Sequence, residues 1–176
     1  MKKLKLTELN RLTVDQYKQI DKVPLVVILD NIRSAMNVGS IFRTSDALAI
    51  QKIFLCGISA TPPNREITKT AIGATDAVDW EYCKTTIEAI ETLKNKGYHI
   101  YAIEQTSTAV DLEKLTQLPP KIAIIMGNEV QGVDANILPY VDGAIEIAQY
   151  GTKHSLNVSV CAGIVIYQLA NKLKKM

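Results

Sequence analysis

An α/β fold with a mostly parallel sheet flanked by helices is what this sequence predicts, and two observations predict it. Short apolar runs alternate with amphipathic or polar helical segments along the chain. The runs are continuously apolar, as strands buried on both faces must be. Polar clusters follow them, at the positions where parallel sheets bind ligands, beyond the carboxyl ends of the strands. The 176 residues are 47% hydrophobic and 22% charged, the composition of one globular domain large enough to bury a sizeable core.

The elements follow in order. Residues 1–23 read as a polar, partly helical arm with a weak apolar stripe at Leu6, Leu9 and Leu12. Pro24 ends the arm, and Leu25 to Leu29 is the first buried strand. Val38 to Ile50 has helical spacing, and Lys52 to Cys56 is a second strand. Thr61-Pro62-Pro63-Asn64 is a loop. A short helix over Glu66 to Ala71, a turn at Gly73 and a strand near Val78 to Tyr82 come next. Thr86 to Asn95 is the most clearly amphipathic helix, with Ile87, Ile90 and Leu93 on one face and Gly97 just beyond its end. His99 to Ile103 is a strand; Leu112 to Leu118 is a short helix closed by Pro119-Pro120. Lys121 to Met126 is a strand, Ala135 to Leu138 one helical turn, Ala144 to Ala148 the last strand, and Ser155 to Lys174 the last helix. The division expected is an arm over 1–23 and one domain over 24–176.

Bulk properties exclude several classes. No window offers the roughly 18 uninterrupted apolar residues of a membrane span, and the charged N-terminus is no secretory signal. Three scattered cysteines, Cys56, Cys83 and Cys161, show neither metal-ligand spacing nor a disulfide framework. No metal is expected, and a reducing cytoplasm is the expected location. A net charge of +2 is too small to indicate nucleic-acid binding by itself.

Three polar clusters carry the chemistry. The first is Asn37-Val38-Gly39-Ser40-Ile41-Phe42-Arg43, read as a strand-to-helix turn where Gly39 permits close backbone approach. It is not the dinucleotide fingerprint G-x-G-x-x-G. The second, Gly127-Asn128-Glu129, places a carboxylate just past a buried strand. The third, Ser155-Leu156-Asn157, opens the long apolar final helix, where free backbone N–H groups and the positive end of the helix dipole are expected. Taken singly, each also reads as an ordinary cap or turn.

In order and spacing, the three clusters resemble the three signature motifs of the SpoU (TrmH-like) family of the SPOUT superfamily, RNA 2′-O-ribose methyltransferases that use S-adenosylmethionine. The resemblance spans residues 31 to 167. It implies a deep trefoil knot in the C-terminal third, and a methyl group transferred to a ribose 2′-hydroxyl of tRNA, or of rRNA. It carries catalytic or positioning roles to Asn37, Arg43, Glu129, Ser155 and Asn157, with Glu129 holding Arg43 or a neighbouring amide. It carries cofactor contacts to Ile103, Gly127, Ile147 and Leu156. It also implies a homodimer with the last helix in the interface, which agrees with the apolar Val158, Val160, Ile164, Val165, Ile166 and Leu169. With only about 23 residues before the first strand, the chain resembles the minimal members. RNA phosphate contacts are expected from Arg33, Arg65, Lys69 and Lys153, with Lys52 and the terminal lysines as further candidates. One departure stands out: the family's Pro-Met after the last strand is Ala148-Gln149 here. A silent RNA-binding protein on the same fold, and an unrelated nucleotide-binding enzyme, remain as other classes at this point.

Overall fold

The computed structural model describes residues 1–175. The strands are β1 Val23–Asp30, β2 Ile50–Cys56, β3 Trp80–Cys83, β4 His99–Ile103, β5 Val110–Asp111, β6 Ile122–Met126 and β7 Gly143–Glu146. The helices are α1 Val14–Gln19, α2 Ala35–Ala47, α3 Arg65–Ala71, α4 Ala74–Ala77, α5 Thr86–Asn95 and α6 Val158–Leu173. Among the described residues the strands form one parallel sheet in the order β3-β2-β1-β6-β4-β7-β5.

Alternation along the central strands builds two apolar layers. Leu25, Val27 and Leu29 of β1 face one side, with Ile41 and Phe42 of α2 and Val165, Ile166 and Leu169 of α6. Val26 and Ile28 face the other, with Ala89, Ile90 and Leu93 of α5. β1 and β6 lie at the sheet's centre with both faces covered. This is why their sequences are unbroken apolar runs.

The order of the last strands positions the site. From β4 the chain runs out to the edge at β5, returns to β6 beside β1, then goes back out to β7 between β4 and β5. The carboxyl ends of β4, β6 and β7 thereby lie close together, and so do the loops that leave them.

Several boundaries differ from the sequence reading, each for a local reason. Pro24 does not end the arm; it is the second residue of β1, where the register shifts and a missing N–H is tolerated. The arm is also anchored: Tyr17 of α1 is buried, 6% exposed. Of the expected arm stripe, Leu9 and Leu12 are exposed, and the Leu6 side chain lies outside the described set. Helix α2 begins at Ala35 because Ser34 caps it, its hydroxyl accepting the Asn37 N–H at 3.3 Å. Asn37 therefore sits inside the helix rather than in a turn before it. Ile50, read as the helix end, already belongs to β2. Segment 112–118 is only a three-residue 3-10 turn, Leu112–Lys114, preceded by the unanticipated edge strand β5. The turn expected over 135–138 lies at Leu138–Tyr140. Helix α6 starts at Val158, so Ser155 and Leu156 stay in the loop.

Gly39 has a packing role instead of a ligand-facing one. A β-carbon there would collide with the Thr70 hydroxyl and the Ile67 carbonyl of α3. Thr70 in turn donates to the Met36 carbonyl at 3.0 Å, tying the two helices together. Gly39→Ala is therefore expected to force α2 and α3 apart and cost about 1–3 kcal/mol. Urea denaturation checks this; a gain in stability from the better helix former would contradict it.

Candidate active site

The site is built on one carboxylate. After β6 the chain folds back so tightly that Asn128 and Gly132 exchange both backbone hydrogen bonds at 2.9 Å. A β-carbon on Gly127 would strike the backbone of Gly132 and Val133. Gly127 is thus demanded by the returning loop itself. The Asn128 amide fastens this turn to β1's end, donating to the Asn31 carbonyl at 2.7 Å. Glu129 then faces the corner between β1 and α2. One of its oxygens accepts the Arg33 N–H at 2.8 Å; the other accepts the Ser34 N–H at 3.0 Å and the Asn37 side-chain amide at 2.9 Å.

The network continues across the sheet. Asn37 Oδ1 accepts from the Asn157 amide at 3.3 Å. Asn157 Oδ1 accepts the Ser159 N–H at 2.9 Å, the Ser159 hydroxyl at 2.7 Å and the Val160 N–H at 3.3 Å. Every orientation follows from the two ends. An ionised carboxylate only accepts, and the first N–H groups of a helix only donate, so both amides must point the same way. The helix start is accordingly not free for a ligand, as the sequence reading expected: Asn157 occupies two of its N–H groups. Burial pushes the Glu129 carboxyl upward, but the donors from Arg33, Asn37 and Ser34 outweigh it and hold the group below its ordinary value.

Beside this network, the loops after β4, β6 and β7 enclose a cavity of about 580 Å³, within the roughly 300–1,000 Å³ of small-molecule sites. Ile103, Gly127, Ile147 and Leu156 all line it, together with Glu129, Ser155 and Asn157. Gln149 lines it too, where the family's apolar residue is replaced. Its side-chain charges are Glu104, Glu129 and Glu146, with neither lysine nor arginine. A diphosphate group would find no lysine or arginine here, whereas a cationic ligand suits the three carboxylates.

Arg43 is not brought into this cluster. It lies roughly 9 Å further along α2 than Asn37, exposed, and lines an open groove of about 1240 Å³ between α2 and α6 that also holds Lys69. Of the two partners expected for Glu129, Arg43 or a neighbouring amide, the structure has the amide: Glu129 is taken up by the Asn37 side chain and the N–H groups of Arg33 and Ser34. Arg33, Arg65 and Lys153 are exposed, while Lys52 is paired with Glu81 at 2.7 Å.

Two polar residues that follow β4, Glu104 and Gln105, belong with the polar groups expected beyond the strand ends, but the sequence assigns them no role. Glu104 accepts the Val133 N–H at 3.0 Å, and the Gln105 amide donates to the His154 carbonyl at 2.8 Å. Together they tie the loop after β4 to both other loops. Asp30, 1% exposed, similarly joins three segments by accepting from Thr86 at 2.6 Å, Asn31 at 2.9 Å and the Asp134 N–H at 3.2 Å. A polar residue straight after an unbroken apolar strand was the available signal for all three.

The family model described as the SpoU rRNA Methylase family matches residues 24–167. The chain belongs to the SpoU methylase family. A tRNA (guanosine(18)-2′-O)-methyltransferase of Aquifex aeolicus is 30% identical over 146 residues, covering 82% of this chain and 67% of that protein. A 23S rRNA (guanosine-2′-O-)-methyltransferase of Neisseria meningitidis is 30% identical over 152 residues, covering 86% and 60%. The SpoU chain therefore spans roughly three fifths to two thirds of these relatives. The crystal structure of an AdoMet-bound rRNA methyltransferase from Sinorhizobium meliloti is 25% identical with a TM-score of 0.76, covering 90% of this chain and 59% of that one.

Glu129→Gln places an amide donor among N–H groups that need an acceptor. The expected loss at neutral pH is about 1–3 kcal/mol. With the folded carboxyl below its unfolded value, its contribution is complete above the unfolded range and disappears as pH falls through the folded value. Wild type should lose stability below about pH 4, and the variant less. A difference between them that stays constant down to pH 3 in chemical denaturation would contradict this.

Proposed function

We propose that the protein is an S-adenosylmethionine-dependent RNA methyltransferase acting on a ribose 2′-hydroxyl, with tRNA favoured over rRNA as substrate. The observation that carries the reading is the cavity at the ends of β4, β6 and β7, walled by the Glu129–Asn37–Asn157 network, in a chain of the SpoU family. Its excess of carboxylates suits a cofactor with a sulfonium, and Ile103, Gly127, Ile147 and Leu156 are the residues that would hold it. S-adenosylmethionine bound there supplies an electrophilic methyl group.

The remaining work falls to the chain's own groups. A ribose hydroxyl is a weak nucleophile, so transfer depends on holding it in line and giving its proton somewhere to go. Ser155 and Asn157, at the cavity rim, position the reacting nucleotide. Glu129 and Asn37 keep Asn157 in one orientation. Arg43 stays charged, and its part is to grip a phosphate beside the target ribose and orient the hydroxyl; a phosphate oxygen or water takes the proton. Arg33, Arg65, Lys69 and Lys153 supply backbone contacts to RNA, read by shape and loops. These roles rest on the motif match together with the geometry above.

The same reading takes residues 24–176 as the methyltransferase domain, with a trefoil knot among the loops after β4, β6 and β7, and residues 1–23 as an arm. It makes the enzyme a cytoplasmic homodimer. The α6 face supports the dimer: Val160, Ile164 and Tyr167 are 53%, 41% and 62% exposed on an otherwise buried helix, and they line the groove that carries Arg43. No helix of the described residues is long and apolar enough to cross a membrane.

Two measurements test this. Labelled methyl from S-adenosylmethionine is expected in 2′-O-methylnucleosides of one pool when unmodified tRNA and rRNA are offered separately. Arg43→Ala should lower transfer about a hundredfold with cofactor affinity nearly unchanged; cofactor binding without transfer to either pool would refute the reading. Ile164→Asp should shift the protein to a monomer in analytical ultracentrifugation and abolish transfer. A wild type already monomeric at micromolar concentration would remove the dimer from it.

A further inference from the structure

The three carboxylates of the cavity are not equivalent. Glu129 is taken up by three donors at the corner between β1 and α2, and the Glu146 side chain is held by no hydrogen bond among the described residues. Glu104 is different. It is the first residue after β4, and its own N–H continues the ladder to Ile145 at 3.1 Å. Its oxygens accept the Val133 N–H at 3.0 Å and the Gln105 N–H at 2.9 Å. Its carboxylate lies so flat on Gly132 that a β-carbon there would collide with it. The charge is therefore fixed in place on the cavity wall.

It is also uncompensated. Among the described residues the ion pairs are Lys2–Glu8, Lys52–Glu81 and Lys94–Asp142, and none involves Glu104. No lysine or arginine lines the cavity. The charge is felt by another lining residue: burial first, and Glu104 second, push the Cys161 thiol up to about 11. A fixed, unpaired negative charge in a partly enclosed cavity favours whichever ligand brings a positive one.

We propose that Glu104 is the residue by which this cavity tells its methyl donor from the spent product. This rests on reading the cavity as the S-adenosylmethionine site. The donor carries a sulfonium and a net positive charge. The S-adenosylhomocysteine left after transfer carries a neutral thioether, with the rest of the molecule unchanged. The Glu104 carboxylate adds affinity only to the charged form, so transfer of the methyl group removes its own attraction and helps the product leave.

Calorimetry with each ligand alone tests this without any turnover. Glu104→Gln keeps an acceptor for Val133 and removes the charge, giving up only the bond from the adjacent Gln105 N–H. It should weaken S-adenosylmethionine about tenfold and leave S-adenosylhomocysteine within twofold, the retained product binding also showing that the cavity is intact. Glu104→Ala, which releases the Val133 amide as well, should weaken both ligands. Equal weakening of the two ligands by Glu104→Gln, or no change in either, overturns the proposal while the cofactor site stands. Wild-type protein that binds neither ligand overturns the reading of the cavity itself.

Discussion

An acceptor that cannot donate governs this site. Glu129, ionised, fixes the direction of every hydrogen bond between the corner at Arg33 and the first turn of α6. Had that position held a glutamine, its amide NH2 would face the N–H of Arg33 or of Ser34 and leave one of them without an acceptor. With the carboxylate in place, only one arrangement satisfies both ends. The donors that depress the carboxyl's pKa are the same ones that hold the three segments together, so charge and geometry at this site have one origin.

The surrounding architecture supplies what a single carboxylate cannot. Asp30, Asn31 and Asn128 pin the loop after β6 to the end of β1, and Glu104 with Gln105 pins the loop after β4 to its neighbours. The walls of the cavity are therefore loops by path but are held by side-chain bonds to strand ends, the combination that makes loop-built sites well ordered. Arg43 stands apart on the open face between α2 and α6.

Much of this was legible in the chain. Unbroken apolar runs marked β1 and β6 because burial on both faces leaves no room for alternation, and the bounds of the helix Thr86 to Asn95 were legible, although its buried face is Ala89, Ile90 and Leu93 with Ile87 at the margin. The lining residues Ile103, Gly127, Ile147 and Leu156 were found through motif resemblance. What escaped was set by tertiary partners that no local pattern displays. Edge strand β5 is two residues whose conformation comes from pairing with β7. The start of α2 depends on which of several polar residues caps it, and Ser34 wins over Asn37. Gly39 was read as a point of close backbone approach, but no local pattern shows that the approaching group is helix α3, through Thr70 and Ile67. Glu104 could be placed among the polar residues beyond the strand ends but given no role, because its partner, Val133, lies 29 positions away.

The central pairing of β1 with β6 joins Leu25 to Ile122 and Leu29 to Met126, segments separated by most of the chain. Closing so long a loop is entropically costly before any contact repays it. The cavity's wall therefore exists only once nearly the whole polypeptide has been ordered, and a partly folded chain has nothing with which to hold a small molecule. Whatever occupies the cavity binds the finished fold alone. Cellular ligand concentration then acts as a stabiliser of the native state, rising logarithmically above the dissociation constant, and starvation for that ligand is felt as a shorter-lived protein before it is felt as a slower one.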